Sequence, residues 1–197
     1  LAGGTLINIA KMITRAFVLL FRLQGWKIVG AIPKEIKKAV VIAAPHTSNW
    51  DFVYALAIFR LLKINVRYLA KNELNFFPLN ILLRNTGAIF VERSKKLNLT
   101  DQVVEKFNTE EELFITFPAE GTRKRVEKWK SGFYYAAVKA GVPILPGYLD
   151  FKKRTGGFGP VLYPTGNPEI DLLRLREFYS DKSGKNPELF NLEAIRF

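Results

Sequence analysis

The stretch Ala39-Val40-Val41-Ile42-Ala43-Ala44 runs directly into Pro45-His46-Thr47-Ser48-Asn49-Trp50-Asp51, and Trp50 opens a second apolar stretch that reaches Leu62. A short, continuous apolar run bounded by Pro is the pattern of a strand buried on both faces, as in the middle of a parallel sheet. Trp50–Leu62 reads as a helix, so the polar residues in between form a strand-to-helix turn. Outward from this unit the alternation continues. Val66–Ala70 and Gly87–Val91 are expected as strands on either side of a helical Glu73–Arg84 that Pro78 interrupts. Thr100–Phe107 is a helix capped by Thr100 or Asp101, Leu113–Phe117 a strand, and Ser131–Ala140 a helix that Gly141 ends. Val142–Tyr148 and Pro160–Tyr163 follow as strands. Asn167-Pro168-Glu169 and Asn186-Pro187-Glu188 each offer an N-cap, a Pro at the first helical position and an acid in the first turn. Strands alternating with helices predict an α/β domain with a mixed, largely parallel sheet flanked by helices.

Composition bounds the chemistry. The 197 residues suffice for one domain with its own core, and 48% of them are apolar. There is no Cys and a single His, which excludes a disulfide scaffold, a thiol nucleophile and the Cys- or His-rich metal sites. Lys and Arg total 30 against 18 acids, a net charge of +12. That excess points to an anionic partner: nucleic acid, a membrane surface or a phosphorylated substrate.

The N-terminal residues narrow this choice. No stretch has the roughly 18 uninterrupted apolar residues of a spanning helix. The run Ala16–Phe21 is short and closed by Arg22, unlike a secretory signal. The chain opens on Leu1, so a start further upstream, or trimming, is expected. At about 100° per residue, Thr5–Arg22 is amphipathic. Asn8, Lys11, Arg15 and Arg22 form a thin polar stripe, while Leu6, Ile9, Ala10, Ile13, Phe17, Leu20 and Phe21 fill the other side. Such a helix either lies in a membrane interface with its cations toward headgroups or packs on the domain's own core. The net charge favours the membrane, and residues 1–30 are expected as a membrane-associating arm. No nucleic-acid-binding motif accompanies the charge, so nucleic acid is not expected as a partner.

Three short segments offer chemistry at strand ends, where ligands bind in open α/β sheets. His46 follows the buried strand, and Asp51 falls in the first turn of the next helix, where its carboxylate can fold back onto the imidazole. A carboxylate on one ring nitrogen fixes the tautomer and makes the other nitrogen a better base. The same Ser48-to-Asp51 spacing also reads as a plain helix-capping arrangement, with His46 a packed side chain. Gly87-Ala88-Ile89-Phe90-Val91-Glu92-Arg93 brings Arg93 to a strand end, where a guanidinium can fork onto phosphate; taken alone, the segment reads equally as a strand ending in an ordinary solvated Arg. Phe117-Pro118-Ala119-Glu120-Gly121-Thr122-Arg123 ends a strand in a turn whose amides beside Gly121, together with Arg123, suit an anion. The basic run Arg123, Lys124, Arg125, Lys128 and Lys130, interleaved with Trp129, suits lipid headgroups or other phosphates. Val142-Pro143-Ile144-Leu145-Pro146 holds no ionisable group and is a core strand.

Taken in order, H-T-S-N-W-D, G-A-I-F-V-E-R, F-P-A-E-G-T-R and V-P-I-L-P resemble the four blocks of the glycerolipid acyltransferases, among them the bacterial 1-acyl-glycerol-3-phosphate acyltransferases. Lys71-Asn72-Glu73-Leu74 is similar to that family's Lys-x-Glu-Leu segment. The resemblance covers about Val40 to Tyr148; Ala119 departs from it, since the third block usually has Pro directly before Glu. It implies an acyltransferase domain over residues 31–197, moving an acyl chain from acyl-CoA or acyl-carrier protein to the hydroxyl of a lysophospholipid, lysophosphatidic acid first. Glycerol-3-phosphate, another lysolipid or an aminoacyl lipid are alternative acceptors, and a non-catalytic basic membrane-binding module is the alternative of another class. By the same resemblance His46 is the general base and Asp51 its orienter. Lys71, Arg93, Glu120, Gly121, Thr122 and Arg123 bind the acceptor. A peripheral or monotopic position on the cytoplasmic face of a bacterial inner membrane, with anionic lipid as partner, is implied too. Direct transfer from a thioester calls for neither metal nor cofactor, only a base for the hydroxyl and donors for the oxyanion.

Overall fold

The computed structural model describes residues 2–91 and 99–197. The buried run becomes β2 (Lys38–Ala43), whose inner residues are all sequestered, and Trp50–Leu62 is α2. Around this unit stand α1 (Ala2–Leu23), β1 (Lys27–Val29), β3 (Val66–Lys71), α3 (Leu79–Asn85), β4 (Ala88–Val91), α4 (Leu99–Thr109), β5 (Leu113–Pro118), α5 (Gly132–Ala140), β6 (Ile144–Asp150), β7 (Thr155–Phe158) and α6 (Pro168–Tyr179). The seven strands form one sheet in the order β1-β7-β6-β2-β5-β3-β4. All neighbours are parallel except β6 and β7. This is the mixed, largely parallel sheet that the alternation of elements predicts.

Period-two alternation gives β2 and β5 two apolar faces. Val40, Ile42, Leu113 and Ile115 face a core built with Phe107 of α4, Phe133 and Ala137 of α5, and Leu175 of α6. Val41 and Phe114 face the other way, against Phe59 and Leu62 of α2. Because β2, β3, β4 and β5 run parallel, their carboxyl ends, and the turns that leave them, share one edge of the sheet.

The structure departs from the sequence reading at several elements, among them β1, which falls in the stretch expected as the helical arm, and α4, which begins at Leu99 ahead of both expected caps. The expected Glu73–Arg84 helix is a 3₁₀ turn, Asn72–Leu74, followed by α3, with Pro78 at its N-cap. Pro160–Tyr163 makes only an isolated bridge, Leu162 to Ile144; Pro160 has no N–H to donate to a ladder. The seventh strand is instead Thr155–Phe158, whose T-G-G-F sequence has no alternation to betray it. Asn167 caps α6 as expected, accepting from the Glu169 and Ile170 amides. Asn186, by contrast, starts only a 3₁₀ turn, and its side chain bonds to Thr47 instead of capping it.

Helix α1 packs along α2 and α3. Its Phe21, with Trp26 beyond it, joins Tyr54, Ala57 and Ile58 of α2 and Leu149 of β6 in a buried cluster. Trp26 stacks on Tyr54 at a centroid distance of 4.5 Å and meets Phe151 edge-on at 5.0 Å. Strand β1 then pairs with β7 through Lys27–Thr155, Ile28–Gly156 and Val29–Gly157. Phe17 and Val18 of α1 pack against the same cluster and Ala10 is buried, whereas Met12, Leu19 and Leu23 stay exposed. Replacing Trp26 with Ala removes the ring on which this cluster closes and should destabilise the protein by about 3–5 kcal/mol in urea unfolding. A loss under about 1 kcal/mol would mean that the arm contributes no packing to the folded domain.

Candidate active site

Adjacent parallel strands set the site. Ala43 of β2 pairs with Pro118 of β5, so the turns that leave these two residues begin side by side. In the first turn, Asp51 enters the start of α2 and its carboxylate folds back. Oδ2 accepts the Thr47 amide at 2.8 Å and the Ser48 amide at 2.9 Å, and lies 3.2 Å from His46 Nδ1. The capping and catalytic readings are therefore one arrangement: the carboxylate that ends the strand-to-helix turn also holds the imidazole. The pair is largely shielded, with side-chain exposures of 16% for His46 and 7% for Asp51. When the Nδ1–H of a neutral His46 is directed at the Asp51 carboxylate, the ring's free lone pair sits on Nε2, on the far side of the ring.

In the second turn the Gly121 amide donates to the Pro118 carbonyl, and Gly121 takes φ +71°, which closes a tight turn through Ala119 and Glu120. The extra residue, Ala119, is buried in this turn, and its carbonyl accepts the Lys130 amide. Glu120 thereby faces inward rather than toward solvent. It is 3% exposed, and its Oε1 accepts the His46 amide at 2.9 Å. Burial pushes its carboxyl up to about 7, against the lowering effect of that hydrogen bond. Its Oε2 and the Asp51 Oδ1 have no hydrogen-bond partner among the described residues.

The remaining candidates divide. Arg123 is exposed and lines a cavity of about 210 Å³ together with His46 and Asp51. That cavity runs between the sheet and α2, walled by Phe52, Leu56 and Phe59 on the helix and Val41, Leu149 and Phe158 on the strands. Thr122 is also exposed, and its hydroxyl accepts the Lys124 amide. The Gly121 amide is committed to its turn, so it offers no cradle for an anion. Lys71 is the exposed last residue of β3, at the same sheet edge but outside the cavity lining. Arg93 lies outside the described residues. Of the basic run, Trp129 is core, and the Arg125 guanidinium donates to the carbonyls of Glu188 and Phe190.

Residues beyond the four blocks also reach the site. Lys185 lies over the Trp50 ring at 4.6 Å, and Asn186 bonds to both the hydroxyl and the carbonyl of Thr47. A separation of 139 residues leaves no local pattern from which such contacts can be read.

The comparisons with known proteins show the family and the fold. The family model described as Acyltransferase matches residues 27–150, and the chain belongs to the acyltransferase family. Within it, a 1-acyl-sn-glycerol-3-phosphate acyltransferase of Haemophilus influenzae is 34% identical over 145 residues, which is 68% of this chain and 58% of that relative. The chain thus spans little more than half the length of the curated relative it matches. The crystal structure of the 1-acyl-sn-glycerophosphate (LPA) acyltransferase PlsC from Thermotoga maritima shares the fold. Its TM-score is 0.54 at 20% identity, covering 89% of this chain and 82% of that one.

The raised Glu120 carboxyl has a measurable consequence. Its ordinary value is 4.5 and its folded value about 7, so ionising it opposes folding. The penalty is absent below pH 4.5, grows between these two values and is constant above the upper one. Glu120→Gln keeps an acceptor for the His46 amide without the charge. Its stability relative to wild type should therefore rise by about 3 kcal/mol between pH 4.5 and pH 8 in urea unfolding. A pH-independent difference would show that this carboxyl is not desolvated.

Proposed function

We propose that the protein is a glycerolipid O-acyltransferase that moves a fatty acyl chain from acyl-CoA or acyl-carrier protein to the free hydroxyl of a lysophospholipid, lysophosphatidic acid being the acceptor. The observation that carries this reading is the His46–Asp51 pair in the lining of an apolar cavity that Arg123 lines as well. The acyl chain lies in the cavity, and the acceptor phosphate lies toward Arg123. His46 Nε2 takes the proton from the acceptor hydroxyl as its oxygen attacks the thioester carbonyl carbon. The C–O bond forms and a tetrahedral oxyanion results. Its collapse breaks the C–S bond, and the departing thiolate takes the proton back from His46. Asp51 keeps the ring in the Nδ1–H tautomer and stabilises the imidazolium between these two steps.

The membrane is the proposed source of the acceptor, reached from its cytoplasmic face. Among the described residues no helix is long and apolar enough to cross a bilayer, so the proposed association is peripheral or monotopic. Supporting it, Met12 and Leu23 are 63% and 76% exposed. With Leu19 they cluster within about 40° on α1, beside the Lys11, Arg15 and Arg22 stripe. Phe76 and Phe77, just before α3, are exposed as well. Apolar side chains next to cations suit the boundary between headgroups and acyl chains.

His46→Ala should lower acyl transfer from acyl-CoA to lysophosphatidic acid on the order of a thousandfold with the fold intact by circular dichroism, and Asp51→Asn should cost less. Wild-type turnover in the His46 variant would favour a basic membrane-binding module over an enzyme. Replacing Met12, Leu19 and Leu23 together with Ser should release the protein from vesicles containing phosphatidylglycerol in a sedimentation assay. Unchanged sedimentation would assign membrane contact to some other surface.

A further inference from the structure

The segment Ser183-Gly184-Lys185-Asn186 lies outside the family match, yet it crosses the turn that carries His46. Ser183 is anchored to the end of the sheet, its carbonyl accepting the Phe151 amide at 2.8 Å. Gly184 is pressed against the turn so closely that a β carbon there would sit 2.6 Å from Thr47 Oγ1 and 3.1 Å from Pro45 Cβ. Asn186 then makes two bonds to one residue. Its amide donates to Thr47 Oγ1 at 3.2 Å, and its side-chain Nδ2 donates to the Thr47 carbonyl at 2.8 Å. Thr47 itself is buried.

We propose that Asn186 is a positioning residue for the His46–Asp51 pair, acting through the Thr47–Ser48 peptide group; this rests on the reading of His46 as the base. The carbonyl that accepts Asn186 Nδ2 and the amide that donates to Asp51 Oδ2 belong to the same peptide plane. A donor on the oxygen polarises that plane and makes its N–H a better donor, so the two bonds reinforce each other. The series runs from Asn186 Nδ2 through the Thr47 carbonyl and the Ser48 amide to Asp51 Oδ2, and from there to His46 Nδ1. The bond to Thr47 Oγ1 fixes the same residue from its side chain, and Thr47 also gives its amide to Asp51. Asn186 does not reach the imidazole; it sets the plane and tilt of the turn from which the imidazole hangs. It also forgoes the capping role its Asn-Pro-Glu context offers, since its side chain makes no cap hydrogen bond to the 3₁₀ turn that follows. Orienting groups one shell removed from the reacting atoms commonly change rates by about 10- to 100-fold, and small misplacements have effects of that size.

The test compares Asn186→Ala and Asn186→Asp with wild type, using acyl-CoA and lysophosphatidic acid in detergent micelles. Asn186→Asp keeps the backbone bond to Thr47 Oγ1 but sets a carboxylate oxygen against the Thr47 carbonyl in place of the Nδ2 donor, a harsher break than Asn186→Ala; circular dichroism checks that each variant is folded, and either one carries the test. Positioning requires kcat to fall about tenfold or more in both variants while KM for donor and acceptor stays within about twofold. It also requires non-additivity: in an Asp51→Asn background, where the series is already broken, Asn186→Ala should change kcat by less than about twofold. A rise in KM with kcat preserved, or the same loss in both backgrounds, overturns the proposal in favour of a structural or substrate-binding role. Where His46→Ala is inactive but both Asn186 variants turn over like wild type, the proposal alone is lost. Full activity in His46→Ala removes the catalytic reading and the proposal together.

Discussion

Asp51 Oδ2 is the point through which the active edge of the sheet is organised. It receives two consecutive amides, from Thr47 and Ser48, and the imidazole of His46. Two N–H donors at the start of a helix would otherwise be left without partners, so the carboxylate is held there by the needs of the backbone before any chemistry is considered. Its orientation toward His46 follows from that commitment. The buried strand and the helix supply the two fixed ends between which the turn is strung. Parallel pairing with β5 brings Glu120 to the same place from the side, on the His46 amide. A histidine turn bound at His46, Thr47 and Ser48 has little freedom left in its backbone.

What could be read in advance follows a physical divide. β2 and α2 were legible because a buried strand and a helix each impose an apolar pattern within a few residues. His46 and Asp51 were legible for a similar reason, since five positions across a strand–helix junction leave few conformations open. Thr155–Phe158 was not, because two glycines carry no hydrophobic signal; its place comes from β6 on one side and β1 on the other. Glu120 illustrates a different limit. Its position at a strand end can be anticipated, but whether it faces solvent or the His46 amide depends on a turn containing Ala119, a residue whose burial only tertiary packing decides. The contact between Asn186 and Thr47 marks the extreme, linking residues with no local relation in the chain.

The apolar arc of α1 shows why a helical wheel alone left two outcomes open. Phe17, Val18 and Phe21 turn toward α2, whereas Met12, Leu19 and Leu23 remain at the surface. One arc thus serves two solvents, the protein interior and whatever lies outside. The Trp26–Tyr54 stack is the join between them, because Tyr54 belongs to the helix whose first turn contains Asp51.

The bonds from Asn186 to Thr47 also have a meaning in time. During synthesis the strand, the turn and α2 leave the ribosome long before the segment that crosses them, which follows 139 positions later. Until then the Thr47 carbonyl has no partner from that segment, and the turn has only the bonds made by earlier parts of the chain. A segment made 139 residues later thus completes the bracing of this turn, so the geometry around His46 matures only once that segment has been made.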